Sequence, residues 1–264
     1  MSDFPTPRPV AIVTGAFRGI GLASARRLAQ SGFNLLLNDR PSPEHTLEQV
    51  SLVADFAALG ADCLPVLADI GDFCSQDSIV AAALGHWGRI DCLVNNAGIP
   101  ARQRGDLLDV TPESYDACMA INARAQFFLT QRVARAMLAG PATEGIHRSI
   151  ISITSSNAVA VSISRGEYCA SKAAASMITR LFALRLADSG IGVYEVRPGI
   201  IETEMTRPAK ARYDEAIANH LIPAERWGRP EDVAATVATM AEGRLPYTVG
   251  QAITVDGGLL IPRF

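Results

Sequence analysis

The chain has 264 residues, of which 48% are hydrophobic and 19% charged, and its formal net charge is −3. This composition is typical of a globular protein with a large core. Acidic and basic residues are interspersed, which argues against binding to nucleic acid or to an anionic membrane and leaves a small neutral or anionic substrate allowed.

Short apolar runs alternate with helical patterns along the chain, starting at residues 10–14. A helical pattern follows through Ile20 and Leu28. A second helical stretch covers residues 47–59, and a third ends at Trp87. Near-continuous apolar strands that alternate with helices are typical of a parallel sheet covered on both faces. The sequence predicts a single domain over residues 1–264: a doubly wound parallel α/β sheet of about seven strands with helices on both faces. The predicted strands are 10–14, 34–37, 63–67, 92–94, 149–153, 192–196 and 251–255.

The N-terminal arm, predicted at residues 1–8, does not resemble a signal peptide, and the cysteines indicate a reducing compartment. MSDFPTPRP places three prolines before any apolar run, unlike a signal peptide, and no stretch approaches the length of a membrane span. The five cysteines are odd in number and lack a CxxC pair or metal-ligand spacing. Cys169 is read as a packing residue, because no neighbouring base would activate it as a nucleophile. We expect a cytoplasmic protein without a metal site.

The glycines that follow the first strand are the first sign of chemistry. In TGAFRGIG, Gly15, Gly19 and Gly21 stand where a strand turns into a helix, so the backbone can approach a phosphate closely. The spacing is not the common GxGxxG and alone is a weak signal. Asp39, 18 residues beyond Gly21, ends the next strand at the distance of a carboxylate that binds an adenosine ribose. An Asx-type turn before Pro41 is the alternative reading of Asp39.

Tyr168 and Lys172 in EYCASK stand four residues apart, so on a helix they share one face. An isolated pair of this kind would be an exposed contact of little energy. Several other motifs accompany it in order: NNAG at 95–98, Asn122 in INARAQFF, Ser155 in ISITSS, RPGIIET at 197–203 and the terminal VGQAITVDGG. Together with TGAFRGIG they resemble the short-chain dehydrogenase/reductase family, in its 3-oxoacyl-carrier-protein-reductase-like branch, over essentially the whole chain.

The resemblance implies a catalytic set of Asn122, Ser155, Tyr168 and Lys172. The family's tyrosine exchanges a proton with the carbinol oxygen, and an adjacent ammonium is expected to lower the pKa of the phenol. Ser155 is preferred to Ser156 because it lies 13 residues before the tyrosine, and its hydroxyl would hold the substrate oxygen. Asn122 would stabilise a helix irregularity and a proton-relay water; local hydrogen bonding is the alternative.

The same resemblance implies a nicotinamide cofactor, with NAD favoured and NADP possible. Asp39 would bind the ribose 2′-hydroxyl and repel a 2′-phosphate, whereas Arg18 and Arg40 could bind that phosphate. Asn95 is expected to stabilise the sheet, and Lys172 to bind the nicotinamide ribose. The predicted cofactor-binding residues are Gly15, Phe17, Arg18, Gly19, Ile20, Gly21, Asp39, Arg40, Asp69, Ile70, Asn96, Ala97, Gly98, Tyr168, Lys172, Pro198, Gly199, Ile201 and Thr203.

The substrate is expected to be a secondary alcohol or ketone held between residues 99–104, 156–159 and a lid at about 204–222. The polar side chains of this predicted pocket favour a sugar, polyol or hydroxy acid as substrate; they are Arg102, Arg104, Asn157 and Glu204. The alternatives are a 3-oxoacyl-[acyl-carrier-protein] reductase-like ketoreductase and, in another class, a non-catalytic nucleotide-binding regulator. Helices at 120–137 and 173–187 are apolar on more than one face, which predicts a homotetramer or homodimer.

Overall fold

The computed structural model describes residues 8–262, so most of the N-terminal arm predicted at 1–8 lies outside the described residues. The described chain forms one seven-stranded parallel sheet in the order β3-β2-β1-β4-β5-β6-β7. The strands are β1 (Val10–Thr14), β2 (Asn34–Asp39), β3 (Cys63–Leu67), β4 (Cys92–Asn95), β5 (Arg148–Ile153), β6 (Ile191–Pro198) and β7 (Ala252–Val255). The predicted fold class is confirmed, and each predicted strand agrees with the observed one to within two residues.

Helices connect the strands and cover both faces of the sheet. The α-helices of the described chain are α1 (Gly19–Gln30), α2 (Pro43–Ala58), α3 (Phe73–Trp87), α4 (Pro112–Met119), α5 (Gln126–Ala139), α6 (Gly166–Leu186), α7 (Lys210–Ala218) and α8 (Pro230–Ala241). A π-helical segment, Ala120–Ala125, joins α4 to α5. Helix α8, which packs on α1, was not among the predicted elements.

The central strands are buried on both faces. Every residue of β1 is buried, and its alternate side chains enter different cores: Ala11 and Val13 pack beside α1 and α8, whereas Ile12 packs beside α3 and α5. This alternation explains why β1 reads as a continuous apolar run instead of an amphipathic one. The start of β1 is fixed by Asp91, whose carboxylate accepts a hydrogen bond from Val10 N at 2.9 Å.

The strand order reverses between β1 and β4, which pair with each other while β2 and β5 lie outside them. Open α/β sheets bind ligands at the carboxyl ends of their strands beside such a reversal. Within residues 8–262 no helix could cross a membrane, and no group of acidic, histidine and cysteine side chains could hold a metal. The five cysteines are all free thiols.

Candidate active site

The turn after β1 is shaped for close approach of a ligand. Gly15 and Gly19 have φ angles of +61° and +53°, which side chains rarely adopt, and a Cβ on Gly21 would lie 2.0 Å from the Gly15 carbonyl oxygen. Arg18 gives α1 no side-chain cap, and the first turn carries no acidic residue. The N–H groups at this helix end are therefore available to a phosphate, as a dinucleotide requires.

Asn96 fixes this turn to the neighbouring strand end. Its Nδ2 donates to the carbonyl oxygens of Thr14 and Gly15 at 2.8 and 2.9 Å, while the Thr14 hydroxyl accepts from the N–H groups of Asn96 and Ala97. Asn95 instead donates from Nδ2 to the Thr130 hydroxyl on α5, at 2.9 Å. NNAG thus holds the carboxyl edge of the sheet together.

Asp39 lies at the end of β2 and faces the glycine turn. Its carboxylate accepts from Phe17 N at 3.2 Å and from Arg40 N at 2.9 Å, and its Oδ1 lies 3.7 Å from Nδ1 of the buried His45. The bond to Phe17, 22 residues away, is not one that an Asx turn makes. Asp39 is thus placed where an adenosine ribose would meet the glycine turn.

Arg18 contacts the segment that follows β6. Its Nη1 lies 2.7 Å from Oε2 of Glu204, and both side chains are about half exposed. Arg40 is exposed at the surface beside Asp39. Because Arg18 is paired with a carboxylate, a 2′-phosphate would have to compete with Glu204 for its guanidinium group.

The other predicted cofactor positions line the same edge of the sheet. Asp69 follows β3 and accepts from Gly71 N at 2.7 Å, beside the buried Ile70. Beyond β6, the Thr203 methyl group lies 3.4 Å from the position that a Cβ would take on Gly19, so this segment reaches the glycine turn. The structure therefore brings together strand ends that are far apart in sequence. Also at this edge are Ile20 after β1 and Pro198, Gly199 and Ile201 after β6.

Tyr168 lies in the first turn of α6 and is hydrogen-bonded through its side chain to Ser155, which follows β5. Ser155 is 8% exposed, and its hydroxyl also accepts from Asn157 N at 3.1 Å. The neighbouring Ser156 is equally buried but is not the partner of Tyr168. The contact agrees with the choice of Ser155 over Ser156.

The pKa of Tyr168 is shifted in the direction opposite to the one predicted. Burial raises the pKa of the phenol, and the hydrogen bond from Ser155 and the positive charge of Arg165 offset only part of that shift. The Lys172 ammonium, 5.9 Å from the ring centroid, does not dominate. The expectation of a lowered pKa is wrong for the protein without bound ligands, in which the Tyr168 phenol keeps its proton at neutral pH.

Lys172 is 5% exposed and donates from Nζ to the carbonyl oxygen of Ile153 at 3.1 Å. Burial lowers its pKa to about 8, although the negative charge of Glu195 favours the ammonium form. Such a lysine exchanges protons near neutral pH much more readily than an exposed one. Lys172 is buried and Tyr168 is half-buried, which removes the alternative of an exposed surface contact.

Asn122 lies within the π-helical segment Ala120–Ala125. Its Oδ1 accepts from Ile99 N at 2.8 Å, and its Nδ2 donates to Ile99 O at 3.0 Å and to the Ser171 hydroxyl at 2.9 Å. These partners are distant in sequence, so the alternative of local hydrogen bonding is wrong. A Cβ on Gly98 would lie 3.0 Å from Asn122 Oδ1 and 3.4 Å from Lys172 Nζ, so glycine lets the two side chains approach.

Three of the predicted substrate-pocket residues have hydrogen-bond partners in different parts of the structure. Arg104 donates from Nη2 to the Tyr213 hydroxyl at 3.2 Å. Asn157, by contrast, donates from its amide to Ala160 O within its own loop, and Glu204 pairs with Arg18 at the glycine turn. The carboxylate of Glu204 therefore contacts Arg18, a predicted cofactor-binding residue, although Glu204 is predicted to line the substrate pocket.

Two residues beside Tyr168 are not among those predicted from the sequence. The guanidinium carbon of Arg165 lies 5.6 Å from the Tyr168 ring centroid, and Tyr213, 8% exposed, enters from α7. Arg165 could have been noticed from its place three residues before the tyrosine, within one helical turn. Tyr213 gave no such signal, because α7 approaches the site only through the tertiary fold.

Comparison with known proteins matches the chain to a reductase family model and to a dehydrogenase. The family model described as enoyl-(acyl carrier protein) reductase matches residues 15–260. A 2-dehydro-3-deoxy-D-gluconate 5-dehydrogenase of Dickeya dadantii is 33% identical over 262 residues, covering 98% of this chain and 98% of that protein.

Two solved structures extend the comparison to the cofactor. A 3-oxoacyl-[acyl-carrier protein] reductase of Brucella melitensis in complex with NAD is 44% identical, with a TM-score of 0.93, and covers 98% of this chain and 100% of its own. A blue fluorescent protein from a metagenomic library in complex with NADPH is 34% identical, with a TM-score of 0.85, over 96% and 98% of the two chains.

Proposed function

The chain belongs to the short-chain dehydrogenase/reductase family, and from that premise we propose that Asn122, Ser155, Tyr168 and Lys172 are its catalytic residues. The chain is an NAD(P)-dependent oxidoreductase that interconverts a secondary alcohol and a ketone. The observation that carries the assignment is that Tyr168, Ser155 and Lys172 come together at the end of β5, with Lys172 Nζ also close to Gly98 after the end of β4.

Each side chain has a distinct part in the proposed reaction. In the reduction direction Tyr168 donates its phenolic proton to the substrate oxygen, and the Ser155 hydroxyl stabilises the negative charge that develops there. Lys172, with a pKa of about 8, returns a proton toward Tyr168 from solvent. Asn122 holds the π-helical segment against Ile99 and thereby positions the path for that proton.

The cofactor would lie along the carboxyl edge of the sheet. The glycine turn would receive its pyrophosphate, Asp39 its adenosine ribose and Lys172 its nicotinamide ribose, and when bound the nicotinamide supplies or accepts the hydride. Residues Pro198–Thr203, which reach Gly19, would lie beside the nicotinamide. Helix α7 belongs to the proposed substrate lid at 204–222, where Asp214 accepts from Trp227 Nε1 at 2.7 Å.

A substrate screen tests this function. Absorbance at 340 nm is followed with NAD or NADP and sugars, polyols, hydroxy acids and secondary alcohols, and with NADH or NADPH and ketones. We expect turnover of a hydroxylated secondary alcohol. NADH binding without turnover across the panel would instead favour the nucleotide-binding regulator.

A cytoplasmic location stays a prediction from the cysteine pattern.

We expect Asp39→Ala to relax the preference for NAD. The carboxylate faces the proposed ribose site, and a like charge beside a 2′-phosphate is costly, so the ratio of kcat/KM for NAD to that for NADP should fall roughly tenfold or more. Asp55→Ala, which removes an exposed carboxylate paired with Arg26 on α1, is the control and should leave the ratio unchanged. An unchanged ratio in Asp39→Ala would contradict the NAD preference.

An acyl substrate is the second candidate, favoured by an apolar surface near the site. Leu108, Val161 and Ile163 are 92%, 88% and 71% exposed, and they lie in the loops that precede α4 and α6. An acyl chain could cover these side chains. Reduction of a 3-oxoacyl thioester in preference to every polyol and hydroxy acid would establish this alternative.

The proposed homotetramer or homodimer rests chiefly on α6. Met177, Leu181 and Leu184 are 52%, 54% and 78% exposed along one face of this helix. The α5 residues Phe127 and Phe128 already pack against Phe182 and Phe73 of the same chain, so they support an interface less than the sequence suggested. We expect Leu184→Glu to reduce the mass measured by light scattering at micromolar concentration, with Leu47→Glu on α2 as the control. A wild-type monomer would refute the assembly.

A further inference from the structure

Arg165 lies beside Tyr168, with its guanidinium carbon 5.6 Å from the centroid of the Tyr168 ring. Its side chain is partly buried, and its Nε is buried without a hydrogen-bond partner. It takes part in none of the salt bridges between the described residues. Burying an unpaired guanidinium group costs free energy of folding unless a ligand supplies a compensating negative charge.

A second arginine faces the same space. Arg104 donates to the Tyr213 hydroxyl, and its guanidinium carbon lies 5.8 Å from the centroid of that ring. Burial would raise the pKa of Tyr213, but the Arg104 hydrogen bond and the positive charges of Arg165 and Arg104 bring it below its ordinary value. The two arginines belong to neighbouring segments, since Gly105 N donates to Ser164 O at 3.3 Å, and the guanidinium carbon of Arg165 lies 5.6 Å from the Tyr168 ring centroid.

The acidic residue nearest in sequence does not neutralise Arg165. Glu167 is 3% exposed, and its Oε1 accepts from the Ser114 hydroxyl on α4 at 2.7 Å. Its carboxylate therefore points toward α4, where Oε2 has no hydrogen-bond partner. The carboxylate of Glu204 is likewise engaged, with Arg18. Two guanidinium groups, those of Arg165 and Arg104, thus lie beside Tyr168 and Tyr213, and neither forms a salt bridge with a carboxylate within residues 8–262.

We propose that Arg165, assisted by Arg104 and the Tyr213 hydroxyl, binds a carboxylate group of the substrate, which is therefore a hydroxy acid or the corresponding oxo acid. This inference rests on the proposed function, whose substrate class it narrows. A planar carboxylate suits the fork of donors that a guanidinium group presents. Neutral polyols and acyl thioesters would leave the Arg165 charge unpaired.

Binding is measured apart from turnover in a Tyr168→Phe, Trp87→Phe background saturated with NAD. The only remaining tryptophan, Trp227, has its ring centroid 5.6 Å from that of Tyr213, so its fluorescence reports on ligands at the lid. The probes are matched pairs of four, five and six carbons: erythronate and erythritol, xylonate and xylitol, gluconate and glucitol. We expect the acid of at least one pair to bind more than tenfold tighter than its alditol.

Variants then locate the carboxylate. Arg165→Gln should remove the preference for the acid and Arg165→Lys should restore part of it, whereas Arg27→Gln, an exposed charge in the last turn of α1, should change nothing. No acid binding tighter than its alditol, or an acid preference that survives Arg165→Gln, would overturn the proposal. Tighter binding of glucitol 6-phosphate than of every acid would overturn the carboxylate in favour of a phosphate.

The two proposals fail in different ways. Acid-selective binding with no absorbance change at 340 nm in the parent enzyme would leave the carboxylate site standing and refute hydride transfer. Rapid oxidation of neutral polyols, unaffected by Arg165→Gln, would refute the carboxylate site while leaving hydride transfer intact.

Discussion

Tyr168→Phe lowers kcat by roughly 10²–10⁴-fold, the contribution expected of a positioned proton donor. The substitution removes one hydroxyl and the hydrogen bond to Ser155, but it leaves the aromatic ring in place beside Lys172. NADH binding, followed by its fluorescence, should remain within about threefold of the parent value, since the glycine turn and Asp39 are untouched. Steady-state absorbance at 340 nm gives the kcat of both proteins.

The pH dependence separates a chemical role from a structural one. The pKa of Tyr168 is raised, so the phenol keeps its proton at neutral pH and ketone reduction should proceed there. Alcohol oxidation needs the phenolate, so its rate should rise with pH. Over the same range Lys172, with a pKa of about 8, loses its positive charge as pH rises. The residual oxidation by Tyr168→Phe should lack the part of the rise that depends on the phenolate.

Tyr115→Phe is the matched control for this prediction. Tyr115 lies on α4, is 45% exposed, and loses the same hydroxyl at a distance from the proposed chemistry. It should keep the parent kcat and pH profile. A Tyr168→Phe enzyme with a tenth or more of the parent kcat would remove Tyr168 from the proposed role.

The fold could be predicted because parallel strands buried on both faces leave an unmistakable pattern. β1 and β2 are continuous apolar runs that end in glycine or a carboxylate, and each appears in the structure at its predicted start. Helix α8 was missed, although PEDVAATVATMA has an N-terminal proline and apolar residues at helical spacing. The π-helical segment around Asn122 depends on contacts with Ile99 and Ser171 that local sequence does not encode.

Motif spacing predicts some contacts within the proposed site, whereas contacts that depend on the tertiary fold could not be predicted. Ser155 was placed by its spacing from Tyr168, and the contact between them is present. The direction of the Tyr168 pKa was wrong because burial, which depends on the packing of α6, outweighs the charge four residues away. Tyr213 lies on α7, 48 residues after Arg165, so the effect of the Arg165 charge on its pKa depends on the tertiary fold.

Gly21→Ala should strongly weaken the binding of NADH. A Cβ at this position would lie 2.0 Å from Gly15 O and 2.5 Å from Asn96 Nδ2, so the turn must move and the Asn96 hydrogen bonds to Thr14 and Gly15 must break. Misplacing a binding group by about 1 Å can cost 10²-fold, so we expect NADH affinity to fall at least about 100-fold in a fluorescence titration.

Gly85→Ala is the matched control, because it adds the same methyl group at a position where that group meets no neighbouring atom. Gly85 lies in α3, where a Cβ meets no atom within 4 Å, so Gly85→Ala should keep the parent NADH affinity and stabilise the fold by about 0.5–1 kcal/mol. Thermal unfolding of both variants separates a misfolded chain from a folded one with a distorted turn. A folded Gly21→Ala protein with parent affinity for NADH would show that the cofactor does not use the turn between β1 and α1.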